Sequence, residues 1–219
     1  MIAENLKRIL SEIPEGVQLI VVSKTRSNEE IMEAYNAGHR IFGENRVHEM
    51  VDKHAELPDD IEWHFIGHLQ RNKVKYMADF VSLIHSVDSY KLLKEVNKRA
   101  RKADRTIDCL LQFHIADEEA KFGLTMDKLD FLDSGQHKEL TNVRIRGVMG
   151  MATFTEDEDQ VQREFQLLKS IFNQLKERYF GQNAEFADIS MGMSGDYRLG
   201  IEAGSTMLRI GSDIFGPRE

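Results

Sequence analysis

The sequence predicts an α/β protein, a single domain over residues 1–219 folded as a (β/α)8 TIM barrel. Three observations predict it. Short apolar runs alternate with stretches of helical periodicity along the whole chain. The runs number eight, which suits a barrel of this length. Only three prolines occur, at 14, 58 and 217, and no Gly/Ser linker or low-complexity tract divides the chain. An open doubly wound sheet would also alternate strands with helices; the count of eight favours the closed form.

Taken in order, a helix is expected over 2–11, then a strand over 17–23 (VQLIVVS). Ser27 and Glu30 form a capping box that opens a second helix, with Ile31, Ala34 and Tyr35 on one face and Gly38 as its stop. Strands follow over 40–43 (RIFG), 62–66 (EWHFI) and 80–84 (FVSLI). These runs are too short for helices and rich in β-branched and aromatic residues. Asp88 opens a helix carrying Leu92, Val96, Ala100 and Ala103 at spacings of three or four. Strands are expected again over 107–113 (IDCLLQF) and 144–150 (RIRGVMG). Over 157–179, Val161, Phe165, Leu168, Phe172, Leu175 and Tyr179 repeat as one apolar stripe, the mark of a helix against a core. A strand over 185–190 (EFADIS), a helix starting near Ser194 and a strand over 206–210 (TMLRI) complete the pattern.

Composition removes several function classes. The net charge is -8, which argues against a nucleic-acid partner, since phosphate backbones demand basic surface. The N-terminal MIAENLKRIL has no apolar signal core and no stretch reaches membrane-spanning length, so no membrane partner is expected. The one cysteine, Cys109, lies in an apolar run and reads as a buried thiol in a reducing, cytoplasmic setting. No HExxH or CxxC spacing is present, and His64 and His68 straddle a strand end rather than share a helix face. No metal is expected. GxSxG is absent too, which leaves serine hydrolysis without support.

The remaining chemistry gathers at strand ends, where barrels carry their sites. Lys24 follows the first strand. An amine there, with its stem among apolar residues, can be a nucleophile toward an aldehyde; it can equally be a lysine snorkelling from a strand end. Ser194 follows the seventh strand and Gly211-Ser212 the eighth. Each offers a hydroxyl and backbone N–H groups at a strand-to-helix turn, and the last two loops of a barrel are the usual phosphate site. Arg209 lies inside the last strand, on the same side as Gly211 by alternation. Its guanidinium needs a partner, either a carboxylate or a heteroaromatic nitrogen. Asn45, in FGENRVHE, supplies a neutral hydrogen-bonding group after the second strand.

Four stretches together resemble the pyridoxal-phosphate homeostasis protein family: VSKTRSNEEIMEAYNAGHRIFGENRVHE, WHFIGHLQRNK, RGVMGMAT and SMGMSGDYRLGIEAGSTMLRIGSDIFG. The likeness runs from about residue 17 to 216. It implies a barrel like the N-terminal domain of alanine racemase and pyridoxal 5′-phosphate (PLP) as cofactor. By the same resemblance, Lys24 forms the internal Schiff base, Ser194 with Gly211 and Ser212 cradles the phosphate, Arg209 faces the pyridine nitrogen, and Asn45 lies near the cofactor. Ser212 stands where the family usually has threonine, which keeps the hydroxyl. The segment FHIADEEAKFG keeps only Lys121 and Gly123 of the family's usual pattern.

The function implied is intracellular PLP homeostasis, with the cofactor held on Lys24 and passed, if to any protein, to apo PLP enzymes. A monomer is expected. An arginine at the ring nitrogen keeps that nitrogen unprotonated and weakens the ring as an electron sink, so holding PLP is favoured over using it. The alternatives are a PLP-dependent racemase or decarboxylase and a lysine-dependent aldolase. Racemisation needs a second acid–base group, a tyrosine supplied by a separate domain in alanine racemase. With the chain ending at Glu219, no such domain and only a very short last helix are expected, and the tyrosines at 35, 76, 90, 179 and 197 fall mostly in helical patterns.

Overall fold

The structure is a computed structural model that describes residues 1–117 and 122–217. In chain order its elements are α1 (Ile2–Glu12), β1 (Gln18–Val22), α2 (Asn28–Asn36), β2 (Ile41–Glu44), α3 (Val47–Glu56), β3 (Glu62–Phe65), β4 (Leu83–Val87), α4 (Tyr90–Lys102), β5 (Ile107–Gln112), α5 (Asp130–Asp133), β6 (Val143–Met149), α6 (Glu158–Leu175), β7 (Asp188–Met193), α7 (Tyr197–Glu202), β8 (Met207–Ile210) and α8 (Ser212–Phe215). The strands pair in sequence order and in parallel, and β8 closes on β1 with Ile20 opposite Arg209 and Val21 opposite Ile210. This is the closed barrel that the alternation predicts, not the open sheet.

Alternation along each strand divides the core. Leu19 and Val21 belong to the large apolar layer between the strands and the outer helices. Ile20 turns the other way and packs with Leu83, Leu110, Met149 and Met207, one residue from each of five strands, inside the barrel. Cys109 is fully buried in the outer layer, and burial pushes its thiol pKa up.

Most elements form where the sequence predicts, and the exceptions have local causes. The Ser27–Glu30 capping box is formed in both directions. The fourth strand runs over Leu83–Val87 rather than 80–84, because the Phe80 and Val81 amides both bond back to the Met77 carbonyl. The seventh runs over Asp188–Met193 rather than 185–190: Phe186 N–H bonds to Asn183 O, while the strand continues through Met191 and Gly192. Gly192 has φ +96, and an added Cβ would lie 3.1 Å from the Tyr197 Cα, so the end of this strand is pressed against the next helix.

Helix α4 starts at Tyr90 with Ser89, not Asp88, as its cap; the Ser89 side chain accepts from Leu92 N–H. Helix α6 ends at Leu175, and one π-helical turn, Lys176–Phe180, carries the chain past Tyr179. Helix α7 begins at Tyr197, three residues after Ser194, since the Asp196 carboxylate accepts from Met193 N–H and holds the turn between them. After β3 a 3-10 turn, Arg71–Tyr76, takes the place of a helix.

No helix among the described residues is long and apolar enough to cross a membrane. No cluster of three or more His, Cys, Asp or Glu among them could hold a metal. Lys121 lies outside the described residues. Gly123 has φ +149, and an added Cβ would come 2.4 Å from the His114 amide nitrogen, so that glycine is required by a close approach of two backbones.

Candidate functional site

A cavity of about 800 Å3 opens at the C-terminal ends of the strands. Lys24, Asn45, Ser194, Arg209, Gly211 and Ser212 all line it. Five separate loops or strands bring these residues together: the turns after β1, β2, β7 and β8, and β8 itself. Val22, Ile66, Met151 and Leu199 supply apolar wall.

Each side chain has a structural reason for its place. Lys24 follows β1 at a turn where Thr25 takes a left-handed φ of 63°. The Thr25 N–H donates to Glu49, and Lys53 Nζ donates to the Ser23 carbonyl at 2.7 Å. Lys53 also pairs with Glu44 at 2.8 Å and with Glu49 at 2.7 Å. The two residues flanking Lys24 are thus tied to a buried Glu44–Lys53 pair on β2 and α3 and to the partly exposed Glu49 that extends it. Burial holds the Glu44 carboxyl above its usual range, against the pull of Lys53.

Asn45 stands where the chain leaves β2. Gly67 packs so closely that an added Cβ would lie 2.2 Å from the Asn45 carbonyl oxygen, which gives the IGHLQ stretch a clear role in placing Asn45. The Asn45 side-chain oxygen is buried without a hydrogen-bond partner. His68, from the same stretch, turns away to stack on Phe122 and lies 3.4 Å from Asp88.

Ser194 and the Gly211-Ser212 turn meet where β7 and β8 end, beside the end of β1. Ser194 Oγ accepts from Gly211 N–H at 3.4 Å. A Cβ on Gly211 would come 2.9 Å from the Val22 carbonyl, so a side chain there would press on the end of β1 just before Lys24.

Arg209 is 3% exposed. Its guanidinium donates to Ser190 Oγ and, at 3.0 Å, to the Gly150 carbonyl. No carboxylate ion-pairs with it among the described residues, although Asp196 is near enough to favour its charge; burial lowers its pKa to about 10. Of the two partners that the sequence leaves open for this arginine, the carboxylate contact is not formed.

Several residues of the site carry no sequence signal. Ser190 and His85 lie inside apolar strand patterns. Thr153 lines the cavity and is held by Glu164 of α6, which accepts from its N–H at 2.6 Å and its hydroxyl at 2.7 Å. Lys53 has one signal, its spacing of four from Glu49 on a helix.

The donors and acceptors suit a small, flat, phosphorylated aldehyde. A buried donor-only cation, an unpartnered amide oxygen and a corner of hydroxyls and N–H groups converge on the cavity that holds a primary amine.

Comparison with known proteins agrees. The family model described as "Alanine racemase, N-terminal domain" matches residues 1–219. The pyridoxal phosphate homeostasis protein of Aquifex aeolicus is 38% identical over 227 residues, covering 99% of this chain and 98% of that protein. Its Escherichia coli counterpart is 35% identical, covering 100% and 97%. Among solved structures, PipY of Synechococcus elongatus without PLP superposes with a TM-score of 0.91 at 36% identity, covering 99% of this chain and 100% of that one. PipY with PLP bound gives 0.89 at 35%, with the same coverage. An alanine racemase from Clostridium difficile, 13% identical, shares the fold with a TM-score of 0.78, covering 99% of this chain and 56% of its own. The chain belongs to the pyridoxal phosphate homeostasis protein family, on the barrel of the alanine racemase N-terminal domain.

Proposed function

We propose that this protein binds PLP at the cavity above β1, β2, β7 and β8, holds it as a Schiff base on Lys24, and serves intracellular PLP homeostasis without efficient catalysis. One observation carries the reading: Lys24, Asn45, Ser194, Arg209, Gly211 and Ser212 converge on one cavity with chemistry matched, part by part, to that cofactor. PLP supplies a reactive aldehyde and a ring able to act as an electron sink.

Lys24 supplies the amine that condenses with the aldehyde, with release of water. Ser194, Ser212 and the Gly211 N–H face the phosphate. Arg209 donates to the ring nitrogen. A guanidinium stays protonated and cannot give the ring nitrogen a proton cheaply, so the sink stays weak. No tyrosine lines the cavity among the described residues, and the Tyr197 hydroxyl donates to Glu12 on α1 at 2.6 Å. That arrangement supports the reading that no tyrosine serves here as the second acid–base group of a racemase. On this reading the protein is a cytoplasmic monomer that buffers PLP and passes it to apo-enzymes, not a racemase or decarboxylase.

The test is a visible spectrum of the purified protein with PLP, before and after borohydride reduction, followed by peptide mapping. The expected outcome is one reduced adduct at Lys24 and loss of the visible band in Lys24→Ala with the thermal unfolding profile retained. Deuterium exchange at the α-carbon of L-alanine should stay far below enzymatic rates. An adduct at another lysine, or rapid exchange abolished by Lys24→Ala, would replace this reading with a different anchor or with an enzyme.

A further inference from the structure

Four polar side chains from four strands meet in the barrel interior, directly behind the cavity. Arg209 on β8 donates to Ser190 Oγ on β7. Ser190 Oγ lies 2.8 Å from His85 Nδ1 on β4, and His85 Nε2 lies 3.0 Å from His64 Nδ1 on β3. All four are buried, with exposures of 3%, 0%, 0% and 4% in that order. Neither histidine lines the cavity, and the proposed function uses neither.

The chain has a forced direction. Arginine only donates, so Ser190 Oγ accepts from Arg209. Ser190 then gives its own proton to His85 Nδ1; otherwise that hydroxyl hydrogen would be buried without an acceptor, which folded interiors avoid. His85 consequently carries its proton on Nε2 and donates it to His64 Nδ1. Both imidazoles must be neutral for this order. Burial enforces that, lowering the pKa of His64 to about 3 and that of His85 well below its usual value, with the Arg209 charge adding to the effect on His85.

We infer that Ser190 and His85, backed by His64, are positioning residues that hold the Arg209 guanidinium, which can only donate, in one place at the cavity wall, and so make the site selective for a flat ring with a bare acceptor nitrogen. Ser190 Oγ accepts from one terminal nitrogen of the guanidinium and the Gly150 carbonyl from the other, which fixes its position and leaves its remaining N–H groups without a side-chain carboxylate among the described residues. A ring with C–H in place of the nitrogen would leave a buried charged donor unpaired, the kind of mismatch that sites built around a hydrogen bond reject most strongly. The inference rests on the reading of the cavity as a PLP site with Arg209 at the ring nitrogen.

The experiment compares two ligands, PLP and an analogue with carbon in place of the ring nitrogen, titrated calorimetrically into the full chain. The proteins are wild type, Ser190→Ala, His85→Leu and His85→Gln, each checked by thermal unfolding. The wild type should prefer PLP by about tenfold or more, as expected for a charged donor left unpaired. Ser190→Ala and His85→Leu should shrink that preference to about threefold or less, because a loosened guanidinium can find another partner. His85→Gln, whose amide offers an acceptor and a donor, should restore it. Ser190→Ala removes a single oxygen and carries the test if His85→Leu does not fold. An undiminished preference in Ser190→Ala, or equal losses for both ligands, overturns the positioning role. A wild type that binds both ligands equally overturns the placing of Arg209 at the ring nitrogen, and one that binds neither overturns the PLP reading; each takes the inference with it.

Discussion

Lys24 owes its place to the way the backbone on either side of it is held. Its neighbours Ser23 and Thr25 are fastened, the first by Lys53 and the second by Glu49, and Thr25 accepts a left-handed φ of 63° that a β-branched residue adopts only under constraint. The constraint is a charge cluster built on the buried Glu44–Lys53 pair, and buried pairs are poor sources of stability but strict about geometry. Lys53→Met would strand Glu44, which is fully buried, without its cation. A loss of about 3–5 kcal/mol is expected, the usual result of removing one partner of a buried pair. The double variant Lys53→Met/Glu44→Leu should recover most of the denaturant stability while Lys24 still forms its PLP adduct more slowly than in the wild type. Recovery of the adduct rate together with stability would show that the cluster is there for folding alone.

At the scale of elements, one carboxylate fastens the first helix to α7. Glu12, at the end of α1, accepts from the Tyr197 hydroxyl at 2.6 Å and from Arg198 at 2.7 Å, both in the first turn of α7. These bonds hold the Glu12 pKa at about 2, lowered from 4.5, with the tyrosine hydrogen bond the largest cause. A carboxyl with a depressed folded pKa stabilises the fold above its unfolded value, and the contribution fades as pH falls through the folded one. Glu12→Gln should therefore lower the thermal midpoint at pH 7, and the gap should close between pH 4.5 and about 2. Midpoints measured across that range check it; a gap independent of pH would mean that the ionised form is not what α7 recognises. The same helix is pressed on β7 by glycine: a Cβ on Gly200 would lie 3.1 Å from the Gly192 Cα.

For the molecule as a whole, closing the barrel puts His64 where burial opposes its charge. Its folded pKa of about 3 lies below the model-peptide value of 6.5, because burial penalises the imidazolium. The unfolded chain takes up a proton that the folded one refuses. Stability from this group is complete above pH 6.5 and is lost as pH falls toward 3, at about 1.4 kcal/mol per pH unit once the unfolded histidine is protonated. Urea unfolding at pH 7, 6, 5 and 4 should show a steeper acid decline in the wild type than in His64→Gln, which keeps hydrogen bonding but does not titrate. Parallel declines would place the acid sensitivity elsewhere.

Some of this was determined by sequence alone. The eight runs marked the strands because a buried parallel strand must be apolar on both faces, and the capping box at Ser27–Glu30 marked α2 because capping is local chemistry. The six residues named for the site converge on one cavity because barrel topology sends every strand end to the same face. Other features were decided only by tertiary structure. Where β4 and β7 start depended on whether particular amides turned back or joined a ladder, as those of Phe80, Val81 and Phe186 show. The clamp on Lys24 joins residues 23, 25, 44, 49 and 53, and the wire behind Arg209 joins residues 64, 85, 190 and 209, far apart along the chain. Each of these side chains, seen alone in its strand or helix, is an ordinary polar residue. Apart from the Glu49–Lys53 pair within α3, their partners are chosen by closure of the barrel, which brings separate strands within hydrogen-bond reach, and no local pattern records that distance.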